Sequence, residues 1–541
     1  MTGTDQHRVE SGTKPAAPRR VSHPGLVLLI IAGAQLMVVL DATIVNIALP
    51  TMGDYFEKSQ TSMTWALNAY TLAFGGLLLL GGRSGDILGR RRMFIVGLAL
   101  FTLGSFIGGI ANSFEVLLFG RIVQGLGGAI SSPTALSLIT TSFAAGKERV
   151  RAFAVYAAVS GAGAALGLLL GGILTEYLSW RWVLFVNVPI GIGLIIGAFF
   201  YVTESERYRG RFDVPGAALS VAGMVSLVYG FIHAANQKYG WGDPVTVMTL
   251  AAGVILLVSF FIWEMRSPDP MMPIRVVADR NRGGAYLVML IVGAGMFGMF
   301  YFVTFFVQQV MGFSPLRSGF AFLPVAFVIG ITSQVMTKLM PRFGPKPLIV
   351  IGTILLTSAM FWYSTVDAKS GYWDTFFPGM VVMAIGMGFI FVPLTTVAVA
   401  GVRNTDAGVA SAMLNVGQQV GGSIGLSVLA TVAANAFASA ATTRFSDLTA
   451  RVKSGELSQS VLQHAQQLLA AKNGNGAAPP AALQDNAAVH AIAQIQAHSS
   501  GMGFVAAGIF GLASIIVALV LINVGKDDVP ADLPEAVAVA A

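Results

Sequence analysis

The chain has 541 residues, is 55% hydrophobic and 11% charged, carries a formal charge of +7 and contains no cysteine. A soluble protein would carry about a quarter charged residues, and a chain without cysteine forms neither disulfides nor thiolate metal sites. Its apolar runs of roughly 20 residues suit helices crossing a ~30 Å hydrocarbon core, and they are continuous rather than alternating, which excludes a β-barrel.

In chain order the runs place spans 1 to 14 at 25–46, 62–82, 93–111, 116–142, 153–175, 182–202, 214–234, 245–264, 283–308, 318–337, 347–366, 374–398, 407–437 and 501–523. Span 1 follows a basic leader but is too long for a signal-peptide core and lacks a small-residue cleavage site, so it reads as a retained anchor. The fold class is an all-α integral membrane protein. Its layout is a leader at 1–24, a six-helix bundle over 25–202 and a linker with spans 7 and 8 over 203–282. A second six-helix bundle covers 283–523, including a long loop at 438–500, and a tail follows at 524–541.

Basic residues fix the orientation. The leader side carries 23 Lys and Arg, against 5 in the short loops of the other side. This is a positive-inside bias that places both termini in the cytoplasm of a bacterial-type inner membrane. The net charge is therefore a topology signal, and no nucleic-acid partner is expected. In the 438–500 loop, Leu457–Ala471 has helical character. His464, His490 and His498 have no metal-site spacing there and read as exposed, so no metal is expected.

The loops GGRSGDILGRRRMFIVG (Gly81–Gly97) and KLMPRFGPKPLIVIG (Lys338–Gly352) align Gly89 with Gly344, Arg91 with Lys346 and Gly97 with Gly352. They make spans 1–6 and 9–14 related halves, the usual plan of a secondary transporter.

Charges inside spans are costly and mark function. Asp41 lies sixteen residues into span 1, roughly 24 Å along it at 1.5 Å per residue. Arg121 lies in the outer half of span 4, so the two can share one network. A carboxyl in a span is a proton-relay candidate, whereas a guanidinium keeps its proton and can only tune or hold its partner. Thr43, Asn46, Asn68, Tyr70 and Gln124 are candidate cavity-lining groups beside them, with Gln309, Asn415 and Gln418 in the second half. Span 5 carries a packing motif at Gly163, Gly167, Gly171 and Gly172, whose four-residue spacing permits close helix approach. No P-loop lysine is present, so nucleotide drive is not expected. No nucleophile–base set occurs in the spans, so the chain does not read as an enzyme.

These residues resemble the major facilitator superfamily, and within it the fourteen-span drug:proton antiporter family. LDATIVNIALP (Leu40–Pro50) is similar to that branch's span 1 motif, whose aspartate is implicated in proton coupling. GRSGDILGRRR (Gly82–Arg92) resembles its cytoplasmic gating motif at Gly82, Asp86, Gly89, Arg90 and Arg91, with Ile87 where a basic residue is usual. RIVQGLGGA (Arg121–Ala129), WRWVLFVNVPIG (Trp180–Gly191) and FDVPGA (Phe212–Ala217) resemble its span 4, span 6 and span 7 signatures. Leu168 stands where the span 5 motif carries proline. The resemblance implies two six-helix bundles plus two inserted helices. It also implies alternating access and export of small amphipathic compounds driven by a proton gradient, without a cofactor or obligate protein partner. The rival expectation is a specific metabolite or lipid carrier of the same fold.

Overall fold

The computed structural model describes residues 23–144, 146–204, 210–236, 238–402, 406–472 and 479–525. The leader and tail lie outside the described residues except at their inner ends. Among the described residues, 14 helices are long and apolar enough to cross a membrane. Spans 1 to 7 are Pro24–Phe56, Gln60–Leu88, Arg90–Gly109, Phe114–Ser142, Lys147–Tyr177, Trp182–Tyr201 and Val214–Ala234. Spans 8 to 14 are Pro244–Arg266, Arg280–Gln309, Pro315–Phe343, Pro345–Tyr363, Tyr372–Val399, Gly408–Lys453 and Asn486–Leu521.

Many of these helices start where a short polar side chain takes up an orphan amide. Ser59 accepts from Ser62 N, Ser113 from Val116 N, Ser314 from Arg317 N, and Asp279 from the amides of Asn281 and Arg282.

The spans form two six-helix bundles with two inserted helices. Span 1 packs on span 5, and spans 2 and 3 both pack on span 4; eight spans later, span 9 packs on span 13, and spans 10 and 11 both pack on span 12. The aligned loops share one device. Spans 2 and 3 are joined by Gly89 alone at φ 108°, and spans 10 and 11 by Gly344 alone at φ 76°. A single residue in that region turns the chain without a Cβ clash. The aligned Gly97 and Gly352 are also equivalent in packing. A Cβ on Gly97 would meet Gly127 O of span 4, and one on Gly352 would meet Gly386 O of span 12.

The inserted pair, spans 7 and 8, packs mainly on itself, and span 7 also touches spans 2 and 13, bridging the seam between the bundles. Elsewhere that seam is made by span 5 on span 10 and span 2 on span 13.

The 438–500 stretch departs from the expectation of a loop. Span 13 continues as helix to Lys453, the last helix begins at Asn486 rather than 501, and Gln459–Lys472 and Pro480–Gln484 are helical. Together they make a cap with its own small core of Leu448, Val461, Ala465, Leu468, Ile492 and Ile495. The stretch is alanine-rich, favouring helix without the hydropathy of a span. His464 is accordingly half-buried rather than exposed, its Nδ1 lying 2.9 Å from Asp485 Oδ2.

Candidate functional site

Spans 1, 3, 4 and 6 bring five buried polar side chains together. Asp41 is 0% exposed and Arg121 1%, in a chain interior where an unpaired ion costs several kcal/mol. Arg121 Nη1 donates to Asp41 Oδ2 at 2.6 Å and to Gln124 Oε1 at 3.0 Å. Asp41 Oδ1 accepts from Gln124 Nε2 at 2.8 Å and from Asn187 Nδ2 at 3.0 Å. Gln124 Nε2 also reaches Ser105 Oγ at 2.6 Å. The guanidinium is held twice more. Its Nε donates to the Ala66 carbonyl of span 2 at 3.0 Å, and its carbon lies 4.4 Å from the Tyr70 ring centroid, a cation–π contact.

Local sequence explains how these groups converge. Gly125, Gly127 and Gly128, one to two helical turns beyond Arg121, let span 4 lie against spans 2 and 3. A Cβ on Gly125 would sit 2.5 Å from Tyr70 O, and one on Gly127 would sit 2.3 Å from Phe101 N. On span 3, a Cβ on Gly104 would meet Gln124 N at 2.5 Å, which places the neighbouring Ser105 beside the network.

Asn187 and Ser105 were not singled out in the sequence. Asn187 lies within the WRWVLFVNVPIG motif, and a lone amide in an apolar run was the available signal. Ser105 carried none, because a serine can satisfy its hydroxyl on its own helix.

The other predicted residues lie elsewhere. Thr43 donates to the backbone carbonyls of Val39 and Leu40 and faces span 5; Asn46 donates to Ala42 O. Asn68 bridges the two bundles: its Nδ2 donates to Ser427 Oγ and its Oδ1 accepts from Ser423 Oγ, each at 2.9 Å. Gln309 accepts from Gln496 Nε2 at 2.7 Å, Gln418 Nε2 lies 3.6 Å from Met296 Sδ, and Asn415 is exposed.

The glycines of span 5 divide between two partners. Cβ atoms on Gly163, Gly167 and Gly171 would meet Leu36 and Val39, Thr43 and Leu40 O, and Ile44 O of span 1. One on Gly172 would meet Leu316 Cα and Pro315 O of span 10. Leu168 is buried where Gly319 of span 10 crosses its carbonyl.

In the gating-motif loop, Gly82 lies beside Pro133, and Arg90 Nη2 donates to Asp86 Oδ1 at 2.8 Å. The Glu204 carboxylate accepts from the amides of Arg91 and Arg92, both at 3.1 Å, an anion on a helix N-terminus. Arg91 donates to Phe199 O. Next to the motif, Arg83 donates to Asp269 Oδ1 at 3.3 Å and to Pro270 O at 3.1 Å.

The cap side holds a cavity of about 1260 Å³, walled by Trp65, Tyr229, His233, Phe302 and Gln309 of the spans and by Leu468 of the cap. It does not reach Asp41. The bundles touch in its wall through Tyr301 OH bonding Gln60 O, and beyond its wall through Asn68 and its serines and through Gln308 Nε2 donating to Ile47 O at 2.9 Å. Leu316 N also donates to Glu176 at 2.9 Å.

Two related halves that run in the same orientation, an inserted hairpin and a buried carboxylate–guanidinium pair are the layout of a multi-pass membrane transporter, not an enzyme. The profile of the Major Facilitator Superfamily matches residues 31–426, and the chain belongs to that family. It is 43% identical to the puromycin resistance protein of Streptomyces alboniger over 415 residues, 76% of this chain and 82% of that one. It is 37% identical to the cephamycin export protein of Amycolatopsis lactamdurans over 429 residues, 78% of this chain and 88% of that one. Among solved structures, a bacterial homologue of the human lysosomal transporter Spinster, inward-facing and unoccupied, superposes with a TM-score of 0.61 at 16% identity. That match covers 92% of this chain and 98% of the other.

Proposed function

We propose that the protein is a proton-coupled antiporter that exports small amphipathic compounds of the antibiotic class across a bacterial inner membrane, with both termini in the cytoplasm. The observation that carries the coupling is the Asp41 carboxylate, 0% exposed and held by Arg121, Gln124 and Asn187. The names of the relatives, puromycin resistance and cephamycin export, support the substrate class. The orientation rests on the bias of basic residues, and the drive is the proton gradient, with no cofactor.

In this reading a proton reaching Asp41 removes the charge that Arg121 faces. The guanidinium keeps its own proton, so it must find its compensation elsewhere or move. It is bonded to Ala66 O on span 2, and two residues further on Asn68 bridges to Ser423 and Ser427 of span 13. Protonation at Asp41 thus acts on span 2 and through it on the contacts that close the cap side. The substrate enters on the gating-loop side while those contacts hold, and leaves through the cap-side cavity when they part.

Cells lacking their own efflux pumps and expressing this chain test the substrate class. Accumulation of puromycin and a panel of lipophilic cations is compared before and after an ionophore collapses the proton gradient. Low accumulation that rises on collapse supports the reading. Accumulation equal to that of cells without the chain, for every compound, points instead to a narrower metabolite or lipid carrier.

A further inference from the structure

A second buried acid pair lies where the inserted hairpin meets the gating-loop side. Asp213, at the start of span 7, is 4% exposed, and Glu264, at the end of span 8, is 2% exposed. Each uses one oxygen only. Asp213 Oδ1 accepts from Gly216 N at 3.0 Å and Trp263 Nε1 at 2.6 Å, while Glu264 Oε2 accepts from Met272 N at 3.0 Å. Asp213 Oδ2 and Glu264 Oε1 are buried with no hydrogen-bond partner. Both crowd one point: a Cβ on Gly216 would sit 2.7 Å from the first and 2.8 Å from the second.

Among the described residues no cation bonds the two free oxygens, and the Arg83 charge reaches Glu264 only from a distance. Arg83 of span 2 spends its guanidinium on Asp269 and Pro270 of the following linker. Arg211 and Arg266, close by in sequence, are exposed. Two ionised carboxylates so placed repel each other and pay for desolvation. One proton between them removes the repulsion and turns two orphan acceptors into a short charge-assisted hydrogen bond.

We propose that Asp213 and Glu264 hold one proton between Oδ2 and Oε1, a second proton site that sets how firmly the inserted hairpin grips the gating loop. The grip runs through one turn of chain. Glu264 holds the Met272 amide, Met271 and Met272 are buried, and Asp269 and Pro270 hold Arg83 beside Gly82 of the gating motif. When the proton leaves to water on that side, repulsion drives the start of span 7 from the end of span 8, and the 269–272 turn loosens from Arg83. The role in transport rests on the proton-driven reading; the binding of the proton does not.

Difference infrared spectroscopy of the purified full-length chain, stepped in pH, reads protonated buried carboxyls directly. Wild type, Glu264→Gln, Asp213→Asn and Asp41→Asn are compared. Glutamine at 264 offers an amide N–H to Asp213 Oδ2, so the fold is expected to survive, and an unchanged melting temperature checks it. The expected result is a protonated-carboxyl band at neutral pH in wild type and Asp41→Asn that is lost in Glu264→Gln and in Asp213→Asn. A band kept in both pair variants, or lost in Asp41→Asn alone, overturns the proposal. A titration that shifts when sodium replaces choline at constant ionic strength also overturns it, because the pair then holds a metal cation. As a second readout, amide protection over 269–274, taken relative to the intrinsic base-catalysed exchange rate at each pH, should rise as pH falls in wild type and be pH-independent in Glu264→Gln. The same pH response in both proteins would refute the link to the gating loop.

Discussion

Asn187 of span 6 donates to the same Asp41 oxygen, Oδ1, that Gln124 of span 4 bonds, although 146 residues separate Asn187 from Asp41. The amide thus fixes the carboxylate from the side opposite Arg121. Replacing Asn187 with Leu removes a hydrogen bond to a charged group, a loss of about 1.5–3 kcal/mol. Gradient-driven uptake should fall by roughly tenfold or more at that magnitude, while Asn187→Asp should fail more severely by adding a second charge. Initial rates in proteoliposomes at matched protein levels check both.

Asn68 and Ser427 sit on the seam that closes the cap side. Each neutral hydrogen bond is worth about 0.5–1.5 kcal/mol net, and Asn68→Ala removes two. The cap-open population should therefore rise several-fold. The chain has no cysteine of its own, so a single cysteine introduced at Ala430, in the cap-side cavity, reports the change. Its labelling by a membrane-impermeant maleimide should speed up in Asn68→Ala and stay unchanged in the distant Thr337→Ala control.

The span 5 glycines should rank by the space around them. A Cβ on Gly167 would fall 2.0 Å from Thr43 Oγ1 and 2.9 Å from Leu40 O, whereas one on Gly163 would meet only side-chain carbons at 3.1 Å and beyond. Overpacking costs about 1–3 kcal/mol, so Gly167→Ala should lower the melting temperature in detergent by several degrees. Gly163→Ala should change it little. Equal losses would contradict the packing described here.

The cap has its own pH dependence. Burial works to raise the Asp485 carboxyl, but the hydrogen bond from His464 and those from the Ala488 and Ala487 amides outweigh it, and the group ends below its usual range. A carboxyl lowered in the folded state contributes stability above its unfolded value, near 3.9, and loses it as pH falls through the folded one. Amide protection of Gln459–Lys472 should therefore decline below about pH 4. Asp485→Asn should show weaker protection at neutral pH and no acid-dependent step.

The Asp41–Arg121 pair was legible because charges in apolar spans are few, and each must find a partner at similar depth. The repeat was legible at Gly89 and Gly344, where one residue must turn the chain at positive φ. Of the neutral groups, Gln124 and Tyr70 were placed beside the pair and do contact it, but the partners of the others were not legible. Asn68, Thr43 and Gln418 carry the same kind of signal as Asn187, yet only tertiary packing sends Asn187 to the carboxylate and Asn68 to the seam. Glu264 escaped notice at the very end of its predicted span, where a carboxylate normally reaches water; the turn at Met271 and Met272 covers it instead. Of the cap, the helix Gln459–Lys472 was legible as Leu457–Ala471, while the extensions of span 13 to Lys453 and of the last helix back to Asn486 were hidden by a polar, alanine-rich composition that hydropathy reads as loop.

Proteoliposomes with an imposed pH gradient, comparing wild type with Asp41→Asn for uphill movement of a lipophilic fluorescent cation, test the central claim most directly. The expected result is gradient-driven uptake by wild type and its loss in the variant, with downhill exchange retained because Gln124, Asn187 and the Ala66 carbonyl still hold the site. Gradient-driven uptake of equal rate in the two proteins would contradict the assignment of Asp41 as the coupling carboxylate.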